Sequence, residues 1–210
     1  MSMYATTPSA TLHYAFEVCE LSIDELNSMV DTDKFWGMCK SGCVNYEKKW
    51  CCPPFSPALK DYVRMWQKIY IIFMRISTSQ FDYIKNNYLK IKAGNAILKS
   101  RMDSFLRMMS ENYGNFISTG SCRLCKPCKC KETLPCAYPT KMTYSLEALG
   151  VDVNLLIQSK FSTPLQWYKK GYLPEYTAVV GGLLTNSDLT NEMICNEYKK
   201  FDAKKNKGGD

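Results

Sequence analysis

Nine of the eleven cysteines fall into two short runs, and any fold must bring these loops somewhere useful. The first run holds Cys39, Cys43, Cys51 and Cys52 and closes on Pro53-Pro54; the second holds Cys122, Cys125, Cys128, Cys130 and Cys136. The single histidine, His13, is remote from both in sequence. Two all-thiolate clusters with almost no imidazole point to soft, sulfur-loving metal centres, iron–sulfur first and zinc second. A disulfide scaffold is disfavoured: eleven is odd, the C-x2-C-x2-C spacing is tight, and 210 residues need no staples.

With 46% hydrophobic and 13% aromatic residues, the chain reads as one packed domain, residues 1–198, carrying metal-organised loops. No basic segment followed by an apolar one opens it. The most apolar stretch, Ile69 to Met74, is far below the roughly 20 residues a membrane helix needs. The expected setting is therefore the cytoplasm, where thiols stay reduced, with no membrane partner. The formal charge of +7 owes much to residues 199–210, which hold five lysines against two aspartates. These are expected to form a disordered tail that the fold does not need. No aromatic-basic platform accompanies the tail, so nucleic acid is not the expected partner.

Hydrophobic periodicity predicts strands at Thr11–Cys19, Ile69–Ile76, Asn115–Thr119 and Tyr176–Leu184, the second buried on both faces. Gly181-Gly182 marks a bulge or a close backbone approach in the last. Ser22-Ile23-Asp24-Glu25 is a capping box for a short helix, and Pro57 opens another. A long helix is expected from Ser79 to Glu111, kinked at Gly94-Asn95, and a further one from Pro139 to Leu149, stopped at Gly150. Both cysteine runs are expected as irregular loops. The predicted fold is α/β: a single sandwich-like domain with a mixed sheet and two cluster-binding loops.

In the second run, Cys122-x2-Cys125-x2-Cys128 presents successive thiolates to one side of a turning loop. A [4Fe-4S] cluster on these three, with Cys136 as fourth ligand, is the simplest assignment, and it leaves Cys130 as a spare thiol. Structural zinc on four of the five is the alternative, although zinc knots usually pair two C-x2-C units or include histidine. Lys126 and Lys129 lie beside these ligands, where they would raise the potential of an anionic cluster and offer a patch for an acidic redox partner, or simply be solvated.

The first run offers three ligands, because the side chains of neighbours Cys51 and Cys52 normally diverge. Cys39, Cys43 and Cys52 are preferred. A thiolate from the other run then completes the set, or one iron keeps an open position for a small-molecule substrate, or the run merely packs. Trp36, Tyr46 and Trp50 bracket it and could exclude water, though isolated aromatics more often serve the core.

Cys39-x3-Cys43-x2-Tyr46-x5-Cys52-Pro53-Pro54, then Gly120-Ser121-Cys122-x2-Cys125-x2-Cys128, then Cys136-x2-Pro139 and Ser145-x-Glu147-Ala148-x-Gly150 together resemble the family of predicted metal-binding proteins known as DUF2284. The resemblance implies a cysteine-rich iron–sulfur protein of anaerobes and names no reaction. It also implies that Cys51 is no ligand, since similar sequences often carry another small residue there. The function expected is redox: electron transfer, or reduction at one or two [4Fe-4S] clusters. The alternative is a zinc-stabilised interaction module.

Overall fold

The computed structural model describes residues 1–7 and 10–208. Its frame is a five-stranded sheet built from β1 (Ser2–Thr6), β2 (Thr11–Ser22), β3 (Lys68–Ser77), β4 (Gly114–Ile117) and β5 (Tyr176–Thr185), ordered β1-β2-β3-β5-β4. The helices are α1 (Ile23–Asn27), α2 (Thr32–Gly42), α3 (Leu59–Val63), α4 (Asn87–Tyr113), α5 (Val153–Phe161) and α6 (Asn191–Asn206). The fold is α/β and one domain. The sheet, however, is antiparallel at every pairing rather than mixed. β3 and β4 do point the same way, as a crossover through the long α4 allows. The later strand β5 enters between them, antiparallel to both.

β3 shows why the domain has three layers. Residues 69–74 of this strand are fully buried, so both faces of the sheet must be covered. Its even positions, Tyr70, Ile72 and Met74, join Tyr14 and Phe16 of β2 against Leu98, Met102 and Phe105 of α4 and Tyr198 of α6. Its odd positions, Ile69, Ile71 and Phe73, pack on Leu26, Leu59, Val63, Leu156 and Ile157 of α1, α3 and α5. The period of two along the strand thus sorts side chains between two cores.

Local signals account for several boundaries. Ser22 caps α1, its hydroxyl accepting from the Glu25 amide at 3.1 Å. Asn86 caps α4 in the same way through Leu89 at 3.1 Å, so the long helix begins eight residues later than its apolar pattern suggests. It then runs on through Gly94. That glycine marks contact rather than a kink, since an added Cβ would stand 2.6 Å from Cγ2 of Thr177 on β5. Gly181 serves the same crossing from the sheet side, 2.7 Å from Cδ1 of Leu106. The helix expected from Pro139 is reduced to one tight turn, Glu147–Leu149, ending at Gly150 with φ +87°. Its preceding residues are used otherwise: Tyr144 O accepts the Ser118 amide at 2.8 Å, extending the exit of β4.

The tail expected at 199–210 is corrected most. α6 continues to Asn206; residues 209 and 210 lie outside the described residues. Although lysine-rich, the segment turns Ile194, Tyr198 and Asp202 to one buried face. Asp202, 1% exposed, pairs with the Arg101 guanidinium of α4, 5% exposed. Tyr14 donates its hydroxyl proton to Asp202 at 2.6 Å, and Asn206 Nδ2 donates to Tyr4 O at 2.9 Å. Burial and the neighbouring Tyr198 hold the Tyr14 hydroxyl far above the ordinary tyrosine range, so it stays a donor.

Breaking a buried ion pair by removing one partner strands the other charge, at a cost of about 3–5 kcal/mol. Asp202→Ala, or deletion of residues 199–210, is expected to lower the melting temperature by about 10 °C. Thermal unfolding followed by circular dichroism checks this; an unchanged melting temperature would show that α6 merely rests on the body.

Candidate metal centre

The first cysteine run is half helix. Cys39 lies in the last turns of α2 and Cys43 is its C-terminal cap, the Cys43 amide donating to Cys39 O at 3.0 Å. Asp31 starts the helix, accepting from the Lys34 amide at 3.0 Å. α2 is then strapped to the turn before α5: Trp36 Nε1 donates to Ala148 O at 3.0 Å, and Lys34 pairs with Asp152 at 3.3 Å. Trp36 is therefore a strut that orients Cys39. Trp50 has a comparable role, donating to Leu134 O at 2.9 Å and packing on Phe55. Of the three bracketing aromatics, Tyr46 is the one that lines the cavity described below.

The two runs, some 80 residues apart, are held edge to edge. Lys49 Nζ donates to Ser121 Oγ at 2.9 Å and to Cys122 O at 3.0 Å. Cys130 Sγ lies 3.7 Å from Glu47 O. The Cys51 sulfur accepts the Cys122 amide at 3.1 Å and sits 3.8 Å from the Cys52 sulfur. The Cys52 proton is shared toward Cys51, which with the Cys122 amide draws the Cys51 thiol down to about 7. That same sharing, with burial, pushes Cys52 up. Burial also raises the Cys39, Cys122 and Cys130 thiols, with nearby thiolate charge adding to each.

Cys39, Cys43 and Cys52 open onto one cavity of about 650 Å³. Gly120 and Ser121, at the exit of β4, form part of its wall, and Ser145, Glu147 and Ala148 form another. These residues belong to the separated segments that carry the resemblance noted in the sequence, and the fold converges them. Across from the thiols stands Lys99 of α4, 3.5 Å from where a Gly120 Cβ would lie. Its ammonium makes no hydrogen bond or ion pair among the described residues. Burial, then the Arg123 charge, lowers its hold on its proton, partly offset by Glu147 and Asp103. A second cavity of about 350 Å³ shares Lys99, Thr119, Glu147 and Trp167 and continues toward Tyr88, Leu165 and Tyr168. Sequence patterning hides Lys99, which sits on an ordinary helix stripe; Glu147 is legible only as part of the family motif.

The second-run cysteines lie apart from this cavity. Cys122, Cys125, Cys128 and Cys136 are half-buried and Cys130 is buried. Cys136 Sγ faces Met142 Sδ at 3.9 Å. Lys126 is exposed, and Lys129 pairs with Glu132 at 3.0 Å. Among the described residues no group of three or more His, Cys, Asp or Glu side chains is already closed into a metal-holding set. The fit to a metal lies in the donor chemistry: thiols from separate segments gathered without imidazole, one sulfur already accepting an amide proton as a thiolate does. Final closure of such loops is coupled to metal binding itself. No helix among the described residues is long and apolar enough to cross a membrane.

The family model of DUF2284, described as a predicted metal-binding protein, matches residues 24–185, and the chain belongs to this family. No curated protein and no solved structure matches it.

Lys49 is the charged clamp between the runs. Replacing it by Met should remove two hydrogen bonds and cost about 2 kcal/mol. Limited proteolysis at Lys129 and Lys131 should quicken while the sheet core keeps its amide protection. Unchanged cleavage would show that the runs hold together without Lys49.

Proposed function

We propose that this family member is an iron–sulfur protein, carrying one or two [4Fe-4S] clusters, that works in electron transfer or reductive chemistry. Cys39, Cys43 and Cys52 would hold the cluster at the cavity, and Cys122, Cys125 and Cys128 the core of a second. The observation that supports this best is a cavity lined by three thiols of one run and by no other cysteine, with Lys99 on its wall making no hydrogen bond or ion pair among the described residues. A cluster held by three thiolates supplies an iron with a free position for a substrate atom, together with electrons to reduce it.

The protein's own residues would do the rest. Lys99 Nζ, unpaired and half-buried, offers a charge-assisted bond to an anionic group of the substrate. Ser121 and Ser145 add hydroxyls to the lining of the same cavity. Tyr46 and Trp167 border the space and limit water there. The second cavity beyond Lys99, edged by Leu165, Trp167 and Tyr168, would take an apolar or flat portion of the same molecule. The exposed Lys126 and Lys131 beside the second run suit an acidic redox partner protein. The setting proposed is a reducing, anaerobic cytoplasm. A zinc-stabilised interaction module would use the same thiols but leaves the cavity and Lys99 without a role.

Anaerobic purification decides between the two. The iron–sulfur reading expects brown protein with stoichiometric iron and sulfide; a colourless, folded preparation with stoichiometric zinc overturns it. Cyanide added to the reduced protein is expected to change its electron paramagnetic resonance spectrum. Lys99→Met should weaken that cyanide affinity about tenfold, the worth of one charge-assisted bond. A spectrum indifferent to cyanide would show that every iron has its full set of protein ligands.

A further inference from the structure

We infer that the adjacent cysteines Cys51 and Cys52 serve two different metal sites, Cys52 the one at the cavity and Cys51 the one built on the second run. A single peptide unit would then join the two sites. The inference rests on the iron–sulfur reading above, and it reverses the expectation that Cys51 is no ligand.

The two sulfurs approach each other, yet each has different surroundings. Cys52 lines the cavity with Cys39 and Cys43, whereas Cys51 is absent from that wall. Cys51 is instead 1% exposed, with its sulfur against the first residue of the second run, accepting the Cys122 amide at 3.1 Å. Cys136, the spacing-based choice for fourth ligand beside Cys122, Cys125 and Cys128, turns its sulfur toward Met142 at 3.9 Å. Cys51 is therefore the better fourth thiolate. The two sulfurs of the pair are 3.8 Å apart, so whatever each holds is magnetically and electronically close to the other.

The test compares anaerobically purified full-length wild type, Cys51→Ala and Cys52→Ala by iron content and by electron paramagnetic resonance after dithionite reduction. Wild type should carry about two clusters' worth of iron and a spectrum broadened by mutual interaction. Each variant should lose about half the iron and show one narrow, uncoupled signal. Cyanide should shift the signal left in Cys51→Ala and leave that of Cys52→Ala alone. Cys19→Ala, remote from both runs in sequence, should behave as wild type. Full iron and a coupled spectrum in Cys51→Ala overturn the inference. Should that variant fail to fold, Cys51→Ser keeps an acceptor for the Cys122 amide, and an unaltered spectrum in it overturns the inference equally. A zinc-loaded, iron-free wild type overturns the cluster reading and this inference with it. A wild type with full iron but two narrow, uncoupled signals overturns only the pairing of Cys51 with Cys52.

Discussion

Strand β3 has no water on either side between Ile69 and Met74, and each face of the sheet therefore needs a helical layer. α4 and α6 supply one layer, and α1, α3 and α5 the other. Hydrophobic burial at roughly 25 cal/mol per Å² makes this the dominant stabilising term, and it is indifferent to cysteine. The cysteine loops can thus be read as passengers on a frame that does not need them. β4 ends where Gly120-Ser121 begin, α2 ends at Cys43, and the turn before α5 holds Trp36. Three rigid termini aim at one volume.

Bringing thiols together is electrostatically awkward, because metal binding requires them as thiolates. Burial alone opposes this, as the raised Cys39 and Cys122 thiols show. The counterweights are local: the Cys122 amide at Cys51 and the Lys49 ammonium between the runs, which favours the charged forms of Cys51 and Cys52. A bound cation of high charge would complete the neutralisation. On the proposed reading, Lys99, beside Glu147 on the cavity wall, attracts an anionic group of the substrate, and the exposed Lys126 and Lys131 an acidic partner.

The frame was largely legible. β2, β3 and β5 follow from alternation and β-branched runs, and Ser22 announces α1 through its capping box. Cys39, Cys43 and Cys52 were grouped from their spacing, with Cys52 preferred beside the prolines, and the same three line one cavity. Failures came where tertiary contacts overrode local character. Tyr144 accepts the Ser118 amide at the exit of β4, and the segment before it forms no helix. The lysine-rich C-terminus is a helix because Asp202 finds Arg101 and Tyr14, residues that no local window contains.

The sequence by itself determined the chemistry of the donors, eleven cysteine thiols against one imidazole, and composition selects a single packed domain. It also placed four of the five strands, since alternation needs only neighbours, while the edge strand β1 is held by its pairing with β2. The tertiary structure alone decided that Lys99 shares a cavity with three thiols, that Lys49 joins the two runs, and that Cys52 lines the cavity while the Cys51 sulfur meets the Cys122 amide. These depend on the order in which β5 inserts beside β3 and on where β4 ends. Such relations join residues distant along the chain, and a spacing pattern carries no information about what stands opposite it in space.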